Sequence, residues 1–142
     1  MSRASMIEAA VLERLPEGLR FQVAVQDSGQ YHIAYWDRDG EWVASIESRG
    51  LDFDEQELGV WLSNGLFSSE LATPEGWLVM LGDLTTAIAV YWSGGGQTAP
   101  SLMGSGLRLP MGRATLVARP PLPWLRPPDL SDFARPREEG PE

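Results

Sequence analysis

Cysteine and lysine are both absent from this 142-residue chain, and histidine occurs once, at His32. The lack of cysteine excludes disulfides, thiolate nucleophiles and Cys-ligated zinc. The lack of lysine excludes a P-loop lysine, a Schiff base and a lysine general base. A catalytic His32 would need a serine partner or other metal ligands, but its neighbours alternate as in a strand, so we interpret it as a partly exposed strand residue. We expect no catalytic residue, no metal and no cofactor.

Long apolar segments are also missing. The longest apolar run is far shorter than the ~20 residues that a membrane-spanning helix needs. The first residues lack the apolar core of a signal peptide. We therefore expect a cytoplasmic protein with no membrane partner. The length suits one domain, and a chain of 15.6 kDa can bury enough surface for a hydrophobic core without metal or disulfide support.

Negative charge dominates, with a formal net charge of −9. Residues 1–100 hold 15 acids and 5 arginines, whereas residues 101–142 hold 5 acids and 6 arginines. Such a body repels phosphate backbones, so we expect no direct binding to nucleic acid. The charge favours a protein partner, and a basic one in particular.

The first fifty residues predict one helix and three strands. Ser5 and Glu8 have the spacing of a capping box and predict a helix that ends near residues 16–18. Three alternating segments follow, separated by turn sequences at residues 27–29 and 37–40. Short turns between alternating segments predict an antiparallel meander.

A second helix is predicted over residues 54–65. Asp54 is a favourable N-cap, and Glu57 stands three residues later, where it can complete a capping box. Gly65 is suited to the left-handed conformation that ends many helices.

The rest of the body predicts further strands. Residues 77–81 are apolar on both faces, as in a covered strand, and Gly82-Asp83 resembles a hairpin turn before an alternating segment at residues 85–92. A flexible loop is expected over residues 93–110 and one more strand at residues 114–118. The sequence thus predicts an α+β fold with an antiparallel sheet of about five to six strands and two helices, in the order α-β-β-β-α-β-β(-β), plus a Pro-rich extended tail.

We place the single α+β domain at residues 1–118 and the tail at residues 119–142. The tail has seven prolines, which favour an extended chain. It also carries Leu122, Trp124 and Phe133, more apolar surface than an inert linker needs. We expect it to dock in an extended form, on its own sheet or on another chain.

Six tryptophans are many for this length, and exposed tryptophan often anchors an interface. Trp36 is out of phase with the apolar residues of its strand, so we expect it to face outward beside Trp92 or the tail. The acids between residues 47 and 57 are either helix caps and solvated charge or a docking patch for a basic partner. The candidate partner-binding residues are Trp36, Trp92, Trp124, Glu47, Asp52 and Glu55. With so many aromatic side chains, we also expect a homodimer.

The predicted order of elements over residues 5–92 resembles the type III secretion chaperone-like fold and the related YbjN-type bacterial proteins. The resemblance rests on element order, small size and acidity, and no motif or residue can be matched. It implies a non-enzymatic, often dimeric protein that holds a partner chain.

The sequence therefore favours a non-catalytic protein-interaction domain, a small acidic bacterial chaperone or adaptor. One alternative is a small enzyme or ligand-binding domain that uses the carboxylates near residues 47–57 and the surface aromatics. Another is an immunity protein that neutralises a basic toxin. A deep pocket around a carboxylate of perturbed pKa would favour the enzyme, and a flat sheet face with exposed tryptophan would favour the interaction protein.

Overall fold

A computed structural model describes residues 2–51, 56–101, 104–112, 114–127 and 129–133. Within these ranges the helices are α1 (Arg3–Leu12) and α2 (Trp77–Trp92). The strands are β1 (Arg20–Val25), β2 (Tyr31–Trp36), β3 (Trp42–Leu51), β4 (Gln56–Leu62), β5 (Phe67–Ala72), β6 (Gln97–Ser101), β7 (Gly104–Met111) and β8 (Ala114–Ala118). A short 3-10 helix, Leu130–Asp132, lies in the tail.

The strands form two antiparallel sheets. Strands β1 to β5 make a five-stranded meander in sequence order, and β6 to β8 make a three-stranded sheet. The two sheets meet at one antiparallel bridge, where the backbones of Phe67 and Arg119 exchange two hydrogen bonds of 2.8 Å. The α+β class, the number of helices and the predicted β1–β3 meander are confirmed.

The core lies between the helices and one face of the large sheet. Tyr31, Ile33 and Tyr35 alternate along β2 and join α1 and α2 in one buried cluster. Helix α2 contacts α1, β3 and β7, so it touches both sheets. Its buried residues extend over more than half of its circumference, which explains why its sequence is apolar on most sides. We call the opposite face of the large sheet the outer face.

The helix predicted over residues 54–65 is wrong, because residues 56–62 form β4. Leu58, Val60 and Leu62 point into the core at strand spacing, and β4 pairs with β3 on one side and β5 on the other. Glu57 therefore does not close a capping box. The predicted N-cap residue, Asp54, lies outside the described residues.

The hairpin predicted over residues 77–92 is also wrong, because this stretch is the 16-residue helix α2. Gly82 lies in the helix interior rather than in a turn. An apolar pattern on both faces fits a covered strand and an enclosed helix equally well, and here both sheets enclose a helix.

Smaller corrections concern the ends of elements. Helix α1 begins earlier than predicted, since the Ser2 hydroxyl, not that of Ser5, caps it and accepts a hydrogen bond from the Ser5 N–H at 3.1 Å. The loop expected over residues 93–110 is mostly strand, formed by β6 and β7. The strand expected at residues 114–118 is confirmed as β8.

Gly82 gives a direct test of the helical assignment. A Cβ at this position would lie 3.5 Å from Arg14 Cγ and 3.6 Å from the Ala10 carbonyl oxygen, which is ordinary contact. Since alanine is favoured over glycine in a helix interior, Gly82→Ala should raise the free energy of unfolding by about 0.5–1 kcal/mol in urea denaturation. Gly65→Ala is the control, because Gly65 has open space but a φ of +91° and should lose stability. A lower free energy of unfolding for Gly82→Ala would contradict the assignment of Gly82 to a helix interior.

Candidate functional site

Trp36 is not exposed at the surface as expected. It lies on β2 opposite Arg20 and Trp42 and is only 5% exposed. Its ring is not part of the core on the helix side, which agrees with the predicted alternation along the strand. The low exposure shows that this part of the outer face is covered. The Trp36 Nε1 is buried and has no hydrogen-bond partner in the part of the chain that the structure describes. A buried Trp36 is not available as an interface anchor on the surface of this chain.

The other two candidate tryptophans lie in different environments. Trp92, at the end of α2, is half-buried and packs against the core. Trp124, in the tail, is 72% exposed. Of these three tryptophans, only Trp124 offers a largely open ring of the kind that anchors interfaces.

The acidic residues between 47 and 57 are partly occupied. Glu47 accepts a hydrogen bond from Trp61 Nε1 at 3.2 Å and lies 4.0 Å from Arg49 Nε. Glu57 lies 3.7 Å from Arg49 Nη1 and accepts from the Ser69 hydroxyl at 2.8 Å. Asp52 and Glu55 lie outside the described residues. Arg49 therefore balances the two carboxylates that the structure describes in this stretch.

A cleft of about 430 Å³ opens where the two sheets separate. Strands β5 and β8 are joined at the Phe67–Arg119 bridge and diverge beyond it. The cleft is lined by residues 67–70 of β5, by Thr115 and Val117 of β8, and by residues 119–122 and Leu125. We call it the β5–β8 cleft.

The backbone groups on both sides of this cleft point into it. Because strand residues alternate and both backbone groups of Phe67 face β8, those of Ser69 and Leu71 face β8 as well. By the same alternation from Arg119, those of Val117 and Thr115 face β5. Among the described residues, the Phe67–Arg119 pair supplies the only backbone hydrogen bonds between the two strands. Two open strand edges therefore face each other across the cleft.

Glu70 is the acidic group in the lining of the cleft. It is half-buried, and its Oε1 accepts a hydrogen bond from the Ser68 hydroxyl at 3.1 Å. Burial raises the pKa of the Glu70 carboxyl, and the Ser68 hydrogen bond opposes that rise. No arginine of the described residues lies within ion-pair distance of Glu70.

Exposed apolar side chains surround the same region. Leu71, on β5, is 61% exposed, and Leu122, at the cleft, is 48% exposed. Trp124 follows in the turn after Leu122. Such groups are suited to cover the side chains of a bound segment.

The described part of the tail contacts its own sheet at two places. Arg119 makes the bridge to Phe67, and the Phe133 ring meets the His32 ring edge-on, with centroids 4.7 Å apart. His32 is half-buried on β2, as expected from the sequence. The tail thus docks on its own domain at these points, whereas its separability stays a prediction.

A second cavity of about 430 Å³ is the groove between α1 and α2. Ala9, Ala10 and Gly82 are among its lining residues, and Val79 at its edge is 66% exposed. Arg14, also in the lining, is held by Asp83 at 3.9 Å and the Thr86 hydroxyl at 3.3 Å. Because helix backbones satisfy their own hydrogen bonds, this groove offers no open main-chain groups along its length.

The sequence indicates Trp124 but not the cleft that its neighbours Leu122 and Leu125 line. The sequence predicts no strand at the position of β5, and it predicts a loop where β7, the neighbour of β8, lies. The sequence carries no clear signal for β5, because the face that it shares with the core residues of β4 is formed by Ser68, Glu70 and Ala72.

Within the described ranges, every helix is too short or too polar to cross a bilayer. The same ranges contain no group of three or more His, Asp or Glu side chains arranged to hold a metal ion. Comparisons of the chain with protein-family models, curated proteins and solved structures gave no match.

Proposed function

We propose that this chain is a cytoplasmic, non-catalytic protein-interaction domain of the chaperone or adaptor type. It binds an extended segment of a partner protein as an added strand in the β5–β8 cleft. The observation that carries the proposal is the pair of open strand edges across the cleft. In strand addition the main chain supplies affinity and alternate side chains supply specificity.

The topology constrains how such a segment would bind. Strands β5 and β8 run antiparallel at their bridge, so a strand between them is antiparallel to one and parallel to the other. Each edge extends about four residues beyond the bridge, which corresponds to roughly 13 Å of extended peptide.

The net charge of the chain and the contacts of Glu47 and Glu57 bear on the kind of partner and on the alternatives. The acidic body favours a protein partner over nucleic acid. The small-enzyme alternative, which uses the carboxylates near residues 47–57, has less support, because Glu47 and Glu57 are already engaged with Arg49. Glu70, the carboxylate of raised pKa in the lining of the cleft, lies outside that stretch. An immunity protein remains an option within the same binding mode, and a homodimer remains a prediction.

A selection from a random 12-residue peptide library, followed by titration of synthetic peptides, tests the proposal. In Val117→Pro the N–H that faces the cleft is lost, and an open edge tolerates proline better than a paired strand does. We expect at least tenfold weaker peptide binding for Val117→Pro, with its fold checked by circular dichroism. Val117→Thr, which keeps the N–H and the branched shape, is the control and should bind within twofold of the parent.

Two outcomes would contradict the proposal. One is a library from which no peptide is enriched. The other is a folded Val117→Pro variant that binds the enriched peptides as tightly as the parent does.

A further inference from the structure

We infer that Glu70 makes the β5–β8 cleft selective for segments with a lysine or arginine at one defined position. The inference rests on the proposed function, since it concerns the same cleft. It adds that the bound segment is basic and that Glu70 recognises one of its positions.

Glu70 differs from the other described carboxylates of the large sheet in its surroundings. Glu47 on β3 and Glu57 on β4 each have Arg49 at 4.0 Å or less. Glu70 is half-buried, and its hydrogen-bonding partner is a neutral hydroxyl, that of Ser68. A half-buried carboxylate has lost part of its hydration, and a cation from a bound segment would compensate that loss.

Arg119, the other charged residue in the lining, gives the cleft a direction along β5. Arg119 stands at the closed end, where it bridges Phe67, whereas Glu70 lies three residues further along β5. At strand spacing this separates the two positions by roughly 10 Å. A segment that fits both therefore carries its basic residue about three positions from the closed end.

The raised pKa of Glu70 agrees with this geometry. The shift comes first from burial, and the Ser68 hydrogen bond only partly offsets it. The net negative charge of the whole chain acts in the same direction, because it attracts basic segments over longer distances.

The test uses the enriched peptides and a double-mutant cycle. The peptides should share a lysine or arginine at one position, and Glu70→Gln should weaken their binding about five- to tenfold. The same peptide with its basic residue changed to Gln should bind the parent chain and Glu70→Gln equally well. Glu8→Gln, which removes an exposed carboxylate on α1 outside the lining of the cleft, is the control and should change the affinity less than twofold.

The outcomes separate this inference from the proposed function. If binding is sensitive to Val117→Pro but the peptides share no basic residue, or Glu70→Gln leaves the affinity unchanged, the inference is wrong and strand addition stands. If Val117→Pro also has no effect, both are wrong.

Discussion

Leu84→Ala is expected to lower the free energy of unfolding by about 3 kcal/mol, within the range found for buried leucines. Leu84 is completely buried in α2, and this helix contacts α1 and both sheets. The surroundings of the side chain are contributed by separate elements, so they cannot easily collapse into the space that it leaves. The loss is a large part of the ~5–15 kcal/mol by which domains are stable.

Urea denaturation and a melting curve would measure this effect. For a chain of this size, ~3 kcal/mol corresponds to a melting temperature lower by roughly 6–12 °C. Val79→Ala is the matched control, because Val79 lies on the same helix but is 66% exposed, and it should change stability by less than ~0.5 kcal/mol. Equal effects at the two positions would mean that α2 is not enclosed as described.

Thr85→Val is expected to cost about 2 kcal/mol, because it leaves a buried hydroxyl without an acceptor. The Thr85 hydroxyl donates to the Leu81 carbonyl at 2.8 Å and lies 2.7 Å from the Tyr35 hydroxyl. Since the one hydrogen of Thr85 goes to Leu81, the Tyr35 hydroxyl is the donor between the two side chains. Both residues are fully buried, and burial raises the pKa of Tyr35, so this phenol stays protonated.

A double-mutant cycle distinguishes this hydrogen bond from a simple loss of packing. Tyr35→Phe should cost only about 1 kcal/mol, because Thr85 keeps its bond to Leu81. Adding Thr85→Val to Tyr35→Phe should then cost less than Thr85→Val alone, since no donor is left unpaired. Additive losses would show that the two hydroxyls do not interact.

The sequence identified the fold class and the first meander because local signals there agree with one another. Turn residues at positions 27–29 and 37–40 separate segments that alternate at strand spacing, and the structure has hairpins at both places. In the second turn, Asp37 accepts hydrogen bonds from the N–H groups of Asp39 and Glu41. Such local chemistry can be read without knowledge of the tertiary structure.

The predictions for residues 54–65 and 77–92 are wrong for opposite physical reasons. In β4, Glu57 and Leu58 favour a helix locally, but pairing with β3 and β5 overrides this propensity. In α2, the β-branched and aromatic residues favour a strand locally, but enclosure by both sheets stabilises a helix that is apolar on most sides. Neither outcome can be read from a window of the sequence, because the deciding contacts are distant along the chain.

The β5–β8 cleft could not be predicted from the sequence for a similar reason. It arises where the fifth strand and the eighth strand meet at one bridge, and about fifty residues separate Phe67 from Arg119. Trp124 was the candidate residue that the structure leaves exposed next to this cleft. Trp36, a candidate for partner binding, is only 5% exposed, because the outer face around it is covered.

The position of α2 between the two sheets has a consequence for synthesis on the ribosome. Helix α1, the meander and α2 are all translated before β6, β7 and β8, which lie at residues 97–118. At ~5–20 residues per second, the ribosome needs a few seconds to complete these strands after α2. During that time the side of α2 that β7 later contacts lacks its partner strand. The small sheet therefore closes the core of the nascent chain last.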